Sequence, residues 1–148
     1  MAASDGFPFG LGLEPGMSWD AYLTRLDDER AGTALAADRV PATFLVADVG
    51  GEIVGRTSIR HELNDYLWQK GGHIGYGVLP GHRRRGYATE ILRQSVVIAR
   101  SIGVDQVLVT CHDDNAGSIA VIEACGGRLD SLVGDGADRS PIRRYWID

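Results

Sequence analysis

Residues 73–102 read HIGYGVLPGHRRRGYATEILRQSVVIARSI, and the reading of this stretch decides the fold. His73–Val78 is a short, apolar, Gly-interrupted run of strand type, stopped by Leu79-Pro80-Gly81. From about Tyr87 the pattern changes to helical. Ala88, Ile91, Leu92, Ser95, Val96, Ala99 and Ile102 form one nearly apolar stripe that closes at Gly103. A strand, a loop carrying three arginines, and a helix N-terminus therefore follow one another directly. Free backbone N–H groups and the positive end of the helix dipole make such a start an anion site. Gly86 lets the backbone come close to a phosphate, while Arg83, Arg84 and Arg85 add countercharge and forked donors.

Outward from this stretch the chain alternates strands and helices. Upstream, Thr43–Val49 and Glu52–Ile59 are β-rich runs joined at Gly50-Gly51, a hairpin signal. Residues 60–72 mix helix formers with turn residues and are read only as a connection. Downstream come a buried strand over Gln106–Cys111, a polar turn over His112–Asn115, and a helix over Ala116–Cys125 ended by Gly126-Gly127. Two strands, about Arg128–Val133 and Ile142–Ile147, follow. Near the start, Ser18 is placed to cap a helix in which Trp19, Tyr22, Leu23 and Leu26 share a face, ending before Gly32. Residues 1–17 hold four Gly and two Pro and read as an irregular N-terminal arm. Without repeats or linkers, residues 1–148 are expected to form one α/β (α+β) domain.

Composition narrows the function. Fifteen Lys+Arg against 20 Asp+Glu give a formal charge of −5, with 44% hydrophobic residues, as in an ordinary globular protein. The acidic balance argues against nucleic-acid and membrane-surface partners, and no apolar run approaches the ~20 residues that span a bilayer. Two cysteines make no disulfide scaffold, and the first residues lack the pattern of a signal peptide, so a cytoplasmic location is expected. No His or Cys spacing suggests a metal site. Gly81 and Gly86 have P-loop spacing, but Tyr87-Ala88 replaces Lys-Ser/Thr, which speaks against nucleotide hydrolysis. Gly75 and Gly77 begin a dinucleotide fingerprint whose third glycine position is Pro80, so NAD drops out.

The remaining pattern, Arg83-x-x-Gly86-x-Ala88 between a strand and a helix, resembles the R/Q-x-x-G-x-G/A signature of the GNAT superfamily of acyl-CoA N-acyltransferases. The resemblance continues through Gly103-Val104-Asp105, the strand to Cys111, Asn115, Ser118 and Gly126-Gly127, over residues 43–130. Wording such as SIRHELNDYL and RYWI also resembles a bacterial branch of acetyltransferases. The resemblance implies a mostly antiparallel central sheet flanked by helices, here with a shortened N-terminal region. It implies acetyl-CoA as co-substrate with no metal. The loop amides of Arg83 to Thr89 would cradle the pyrophosphate, Gly77 and Val78 would pair with the pantetheine arm, and Asn115 and Ser118 would contact it.

For the reaction, an amine whose ammonium has a pKa of ~10.4 must lose a proton before it attacks a thioester. His73, at the start of the cofactor strand, and Glu62, in the connection, are the candidate bases. Many superfamily members carry a Tyr acid seven residues after the Asn, where this chain has Ile122; Tyr76 is the first alternative donor, ahead of Tyr87 and Tyr145. The N–H of Val78 is a candidate for the developing oxyanion. The expected activity is acetyl transfer to a primary amine of a small molecule; a protein amine, or an acyl-CoA-binding module without catalysis, are the alternatives. If the family's first strand is missing, one sheet edge is uncovered, and a homodimer across it is the expected remedy.

Overall fold

The computed structural model describes residues 9–148; residues 1–8 of the arm lie outside the described residues. The elements run α1 (Trp19–Ala31), β1 (Ala42–Val49), β2 (Glu52–Arg60), a π-helical turn (Leu67–Gly71), β3 (Ile74–Val78), a 3₁₀ turn (Pro80–His82), α2 (Tyr87–Ile102), β4 (Val107–His112), α3 (Ala116–Ala124), β5 (Arg128–Val133) and β6 (Ile142–Ile147). Every strand and helix expected from the sequence is present within a residue or two. The connection after β2 holds the one helical turn that the sequence reading left open.

The strands form two three-stranded antiparallel sheets, in the orders β1-β2-β3 and β4-β6-β5. They touch through β3 and β4. His73 donates its backbone N–H to the Leu108 carbonyl (2.7 Å), and the Leu108 N–H donates to Nδ1 of the His73 ring (2.9 Å). A side chain thus takes the place of the next backbone acceptor, and the ladder stops. Gly72 makes the approach feasible: its φ is +69°, and a Cβ there would stand 2.6 Å from the Leu108 carbonyl oxygen. Beyond this contact no ladder joins β3 to β4 among the described residues.

Both sheets bury one face against α2 and α3. Ile59, Ile74, Leu92, Val96, Val107, Val109, Ile122, Tyr145 and Ile147 meet there, each at most 5% exposed. The amphipathic stripe of α2 supplies Ile91, Leu92, Ser95, Val96 and Ala99 to it. The buried Ser95 hydroxyl is satisfied by Thr57 of β2 (2.9 Å) and by the Ile91 carbonyl (2.6 Å). Burying a Leu such as Leu92 contributes roughly 1.5–3 kcal/mol.

Two expectations change. Ser18 caps α1 as foreseen, its Oγ accepting from the Ala21 N–H (3.1 Å), but of the four apolar residues only Tyr22 is buried; Trp19 is 63% and Leu23 43% exposed. The reason is that α1 packs chiefly on the outer strand β1 and has little to bury against. The central sheet is also divided in two, which leaves β1 and β5 as sheet edges with no further strand beside them among the described residues. No helix among the described residues is long and apolar enough to cross a membrane.

Candidate active site

Where β3 and β4 part, a cleft of about 590 Å³ opens between β3, the loop 79–86, and the N-termini of α2 and α3. Its shape follows from backbone conformation. Arg84 and Gly86 both adopt left-handed φ, +63° and +83°, and turn the chain sharply into α2. Such a conformation in a non-glycine residue costs of order 1–3 kcal/mol and is held by its surroundings. Arg83 supplies part of that hold: its Nε–H donates to the Val78 carbonyl (3.0 Å), fastening the loop to the end of β3. Within α2 the first closing bond runs from the Glu90 N–H to the Gly86 carbonyl (3.2 Å). The amides of Tyr87, Ala88 and Thr89 therefore lack an intrahelical partner, and all three residues line the cleft.

The opposite wall is the start of α3. Asn115 caps it, Oδ1 accepting from the Ser118 N–H (3.1 Å), and both residues line the cleft. The floor is β3, with Tyr76, Gly77 and Val78. The Tyr76 hydroxyl is buried beside Ser118 and makes no well-formed hydrogen bond among the described residues. Burial pushes the Tyr76 phenol above its ordinary pKa, so the group is protonated at neutral pH.

The structure thus gathers Tyr76, Gly77, Val78, Arg83, Arg84, Gly86, Tyr87, Ala88, Thr89, Asn115 and Ser118 at one cleft. Arg85 is exposed and does not line it. Neither do the two candidate bases. His73 is 6% exposed, its Nδ1 is occupied by the Leu108 N–H, and burial, reinforced by Arg60, lowers its pKa to about 4. Glu62 is exposed on the loop after β2. Ile122 is fully buried in the core, so the family's Tyr position here serves packing.

Three lining residues escaped the sequence reading: His82, Gly117 and Val121. His82 pairs through Nε2 with Glu52 (3.2 Å) and packs near Tyr87, while its buried Nδ1 has no partner among the described residues. Its place directly before the arginines was the available signal. The thiols of Cys111 and Cys125 are half-buried, and burial raises both above the usual thiol range, away from nucleophilic character.

Comparison with known proteins is consistent with this geometry. The model of the acetyltransferase (GNAT) family matches residues 13–126. Among solved structures, an N-acetyltransferase from Staphylococcus aureus Mu50 superposes with a TM-score of 0.65 at 14% identity, over 94% of this chain and 82% of that one. A Bacillus subtilis acetyltransferase in complex with CoA has a TM-score of 0.59 at 13% identity, over 72% and 76%. A variant of spermidine N-acetyltransferase from Vibrio cholerae has 0.61 at 12% identity, over 86% and 75%. No curated protein matches the sequence significantly.

Proposed function

The chain belongs to the acetyltransferase (GNAT) family, and on that premise we propose that it moves an acetyl group from acetyl-CoA to the primary amine of a small molecule. One observation carries the reading: three unpaired α2 amides, Arg83 and Arg84, the free edge of β3, and the capped start of α3 surround one cleft. The amides and arginines fit a pyrophosphate. The free edge of β3 fits an extended, amide-bearing arm that adds to the sheet as a strand. A spermidine N-acetyltransferase among the fold neighbours supports an amine acceptor.

The chain's residues then divide the work. The cleft holds thioester and amine together, which replaces much of the entropic barrier without a covalent enzyme intermediate. The Val78 N–H, at the end of the free edge, stabilises the negative charge that attack places on the thioester oxygen. Tyr76 protonates the departing thiolate. Its phenol is buried beside Ser118, makes no well-formed hydrogen bond among the described residues and is protonated, which is the state a proton donor needs and which supports catalysis over passive acyl-CoA binding. The open edge of β1 supports a homodimer, and sedimentation showing only monomer at high concentration removes that part of the reading.

Calorimetric titration with acetyl-CoA, followed by thiol release against a panel of primary amines, tests the whole. Micromolar binding with amine-dependent thiol release is expected. Binding without release from any small amine or lysine peptide establishes a binding module instead, and absence of binding overturns the site.

A further inference from the structure

The two base candidates lie outside the cleft, yet the attacking ammonium still has to lose a proton. His112 is the last residue of β4, and its side chain belongs to the sheet face turned away from α2 and α3. Register shows this. Thr110 and His112 pair with Arg144 and Ile142, whereas the alternate residues Val109 and Cys111 join the core on the helix side. On that outer face the His112 Nε2 lies 2.8 Å from Asp135 Oδ2, and the other Asp135 oxygen accepts from Lys70 Nζ (3.1 Å). Arg139 stands 3.7 Å from the same carboxylate.

The pair sits beside the place where the strands part. His73 and Leu108 mark the last contact between β3 and β4, and Tyr76 lies near Cys111, so the two strands leave that contact in the same direction. Gly77 and His112 each follow it by four residues, roughly 13 Å at ~3.3 Å per residue. Counted from that contact, His112 stands level with Gly77, one residue short of the Val78 amide. Gly77 has no side chain to close the gap. Three residues past His112 the chain reaches Asn115, whose N–H donates to the His112 carbonyl (3.0 Å) and which lines the cleft itself.

We propose that His112, held by Asp135, is the base that accepts the acceptor amine's proton, and that the amine reaches the thioester from this outer face. The inference rests on the acetyltransferase reading above. Its chemistry is specific to one ring nitrogen. A carboxylate only accepts hydrogen bonds, so Asp135 requires the proton on Nε2 and leaves the Nδ1 lone pair free. Nδ1 has no partner among the described residues, and the side chain is 44% exposed. Nδ1 takes one proton from the ammonium and passes it to water. The neutral nitrogen then forms the C–N bond as the C–S bond breaks, Tyr76 gives the thiolate its proton, and the proton still carried by the nitrogen restores Tyr76. The charges facing His112 are Asp135, Lys70 and Arg139 on the outer face; Asp113, paired to Arg143, stands on the other side of the strand.

The first test needs no acceptor. Nitrogen-15 spectra of the wild-type protein at pH 8 should show His112 as the Nε2–H tautomer, and Asp135→Asn should lose that preference; an Nδ1–H tautomer in the wild type overturns the proposal. The second is kinetic. With the best alkyl amine of the panel, His112→Ala should lower kcat/KM about 100-fold and abolish the acidic limb of the pH profile, with acetyl-CoA affinity within twofold of wild type. With aniline, which is already neutral at pH 7, the loss should shrink below about threefold. His112→Gln serves where the alanine variant is unstable. An equal loss for both amines, or a weakened acetyl-CoA affinity in parallel, assigns His112 to structure and overturns the proposal. A wild type that binds acetyl-CoA but acetylates no amine removes the underlying reading as well, whereas an active wild type with an equally active variant removes this inference alone.

Discussion

The cleft proposed for acetyl-CoA and the outer face around His112 are built in opposite ways. The cleft takes most of its lining from the one segment 76–89, with a second wall from residues 115–121. The outer face joins Lys70, His112 and Asp135, partners separated by 23 and 65 residues. A site of the proposed kind can be written into one strand–loop–helix unit, because backbone amides at a helix start can meet an anion without distant side chains. A site for proton transfer needs side chains from distant segments, because it depends on which groups the sheets bring together.

The sharpest way to break this comparison is at Gly86. A Cβ there would meet nothing within 4 Å, so Gly86→Trp should fold, at a cost of roughly 1–2 kcal/mol for the left-handed φ. It should nevertheless weaken acetyl-CoA binding more than 100-fold by filling the approach to the α2 amides; unchanged affinity in calorimetry removes the pyrophosphate assignment. Next in size is Tyr76→Phe. It should lower kcat by about 10- to 100-fold with acetyl-CoA affinity within twofold, and an unchanged kcat means that the thiolate leaves unprotonated.

His73 tests the hinge between the two regions. Its folded pKa of about 4 lies below the ordinary ~6.5, so its contribution is complete above pH 6.5 and is lost as the pH falls toward 4. Chemical denaturation should therefore show about 2–3 kcal/mol of stability lost between pH 6.5 and 4.5. His73→Gln should flatten that slope, whereas the acidic effects of Glu90 and Asp135, whose pKa values are each lowered to about 2, enter only at lower pH. The smallest expected effect is at Asn115→Ala, which removes the cap of α3. About 1 kcal/mol of stability should go, read as a Tm decrease of roughly 2–4 °C. A decrease above 8 °C would mean that Asn115 anchors more than the cap.

Most of the fold was legible because its signals are local. The stripe of α2, the glycine pair before β5 and the turn at Gly50-Gly51 each act within a few residues, and the elements they mark are all present. The helical turn Leu67–Gly71 was not legible. Residues 60–72 have no clear period, and the turn depends on contacts made elsewhere: the Lys70 carbonyl accepts from Thr110, and the Trp68 carbonyl from Arg144. The reading of His73 had the same limit. Its position at the start of a strand suggested a base, but only the Leu108 amide reveals that the ring substitutes for a backbone acceptor.

What the sequence determined by itself was the order of elements and the place of the glycine- and arginine-bearing loop before α2, since hydrophobic period, capping and positive-φ glycine are properties of neighbouring residues. Only the tertiary structure decided where β3 and β4 part, which histidine meets Asp135 on the outer face, and which phenol is buried at the cleft. Those outcomes depend on burial and on pairings between residues far apart in the chain, and no short stretch of sequence contains them.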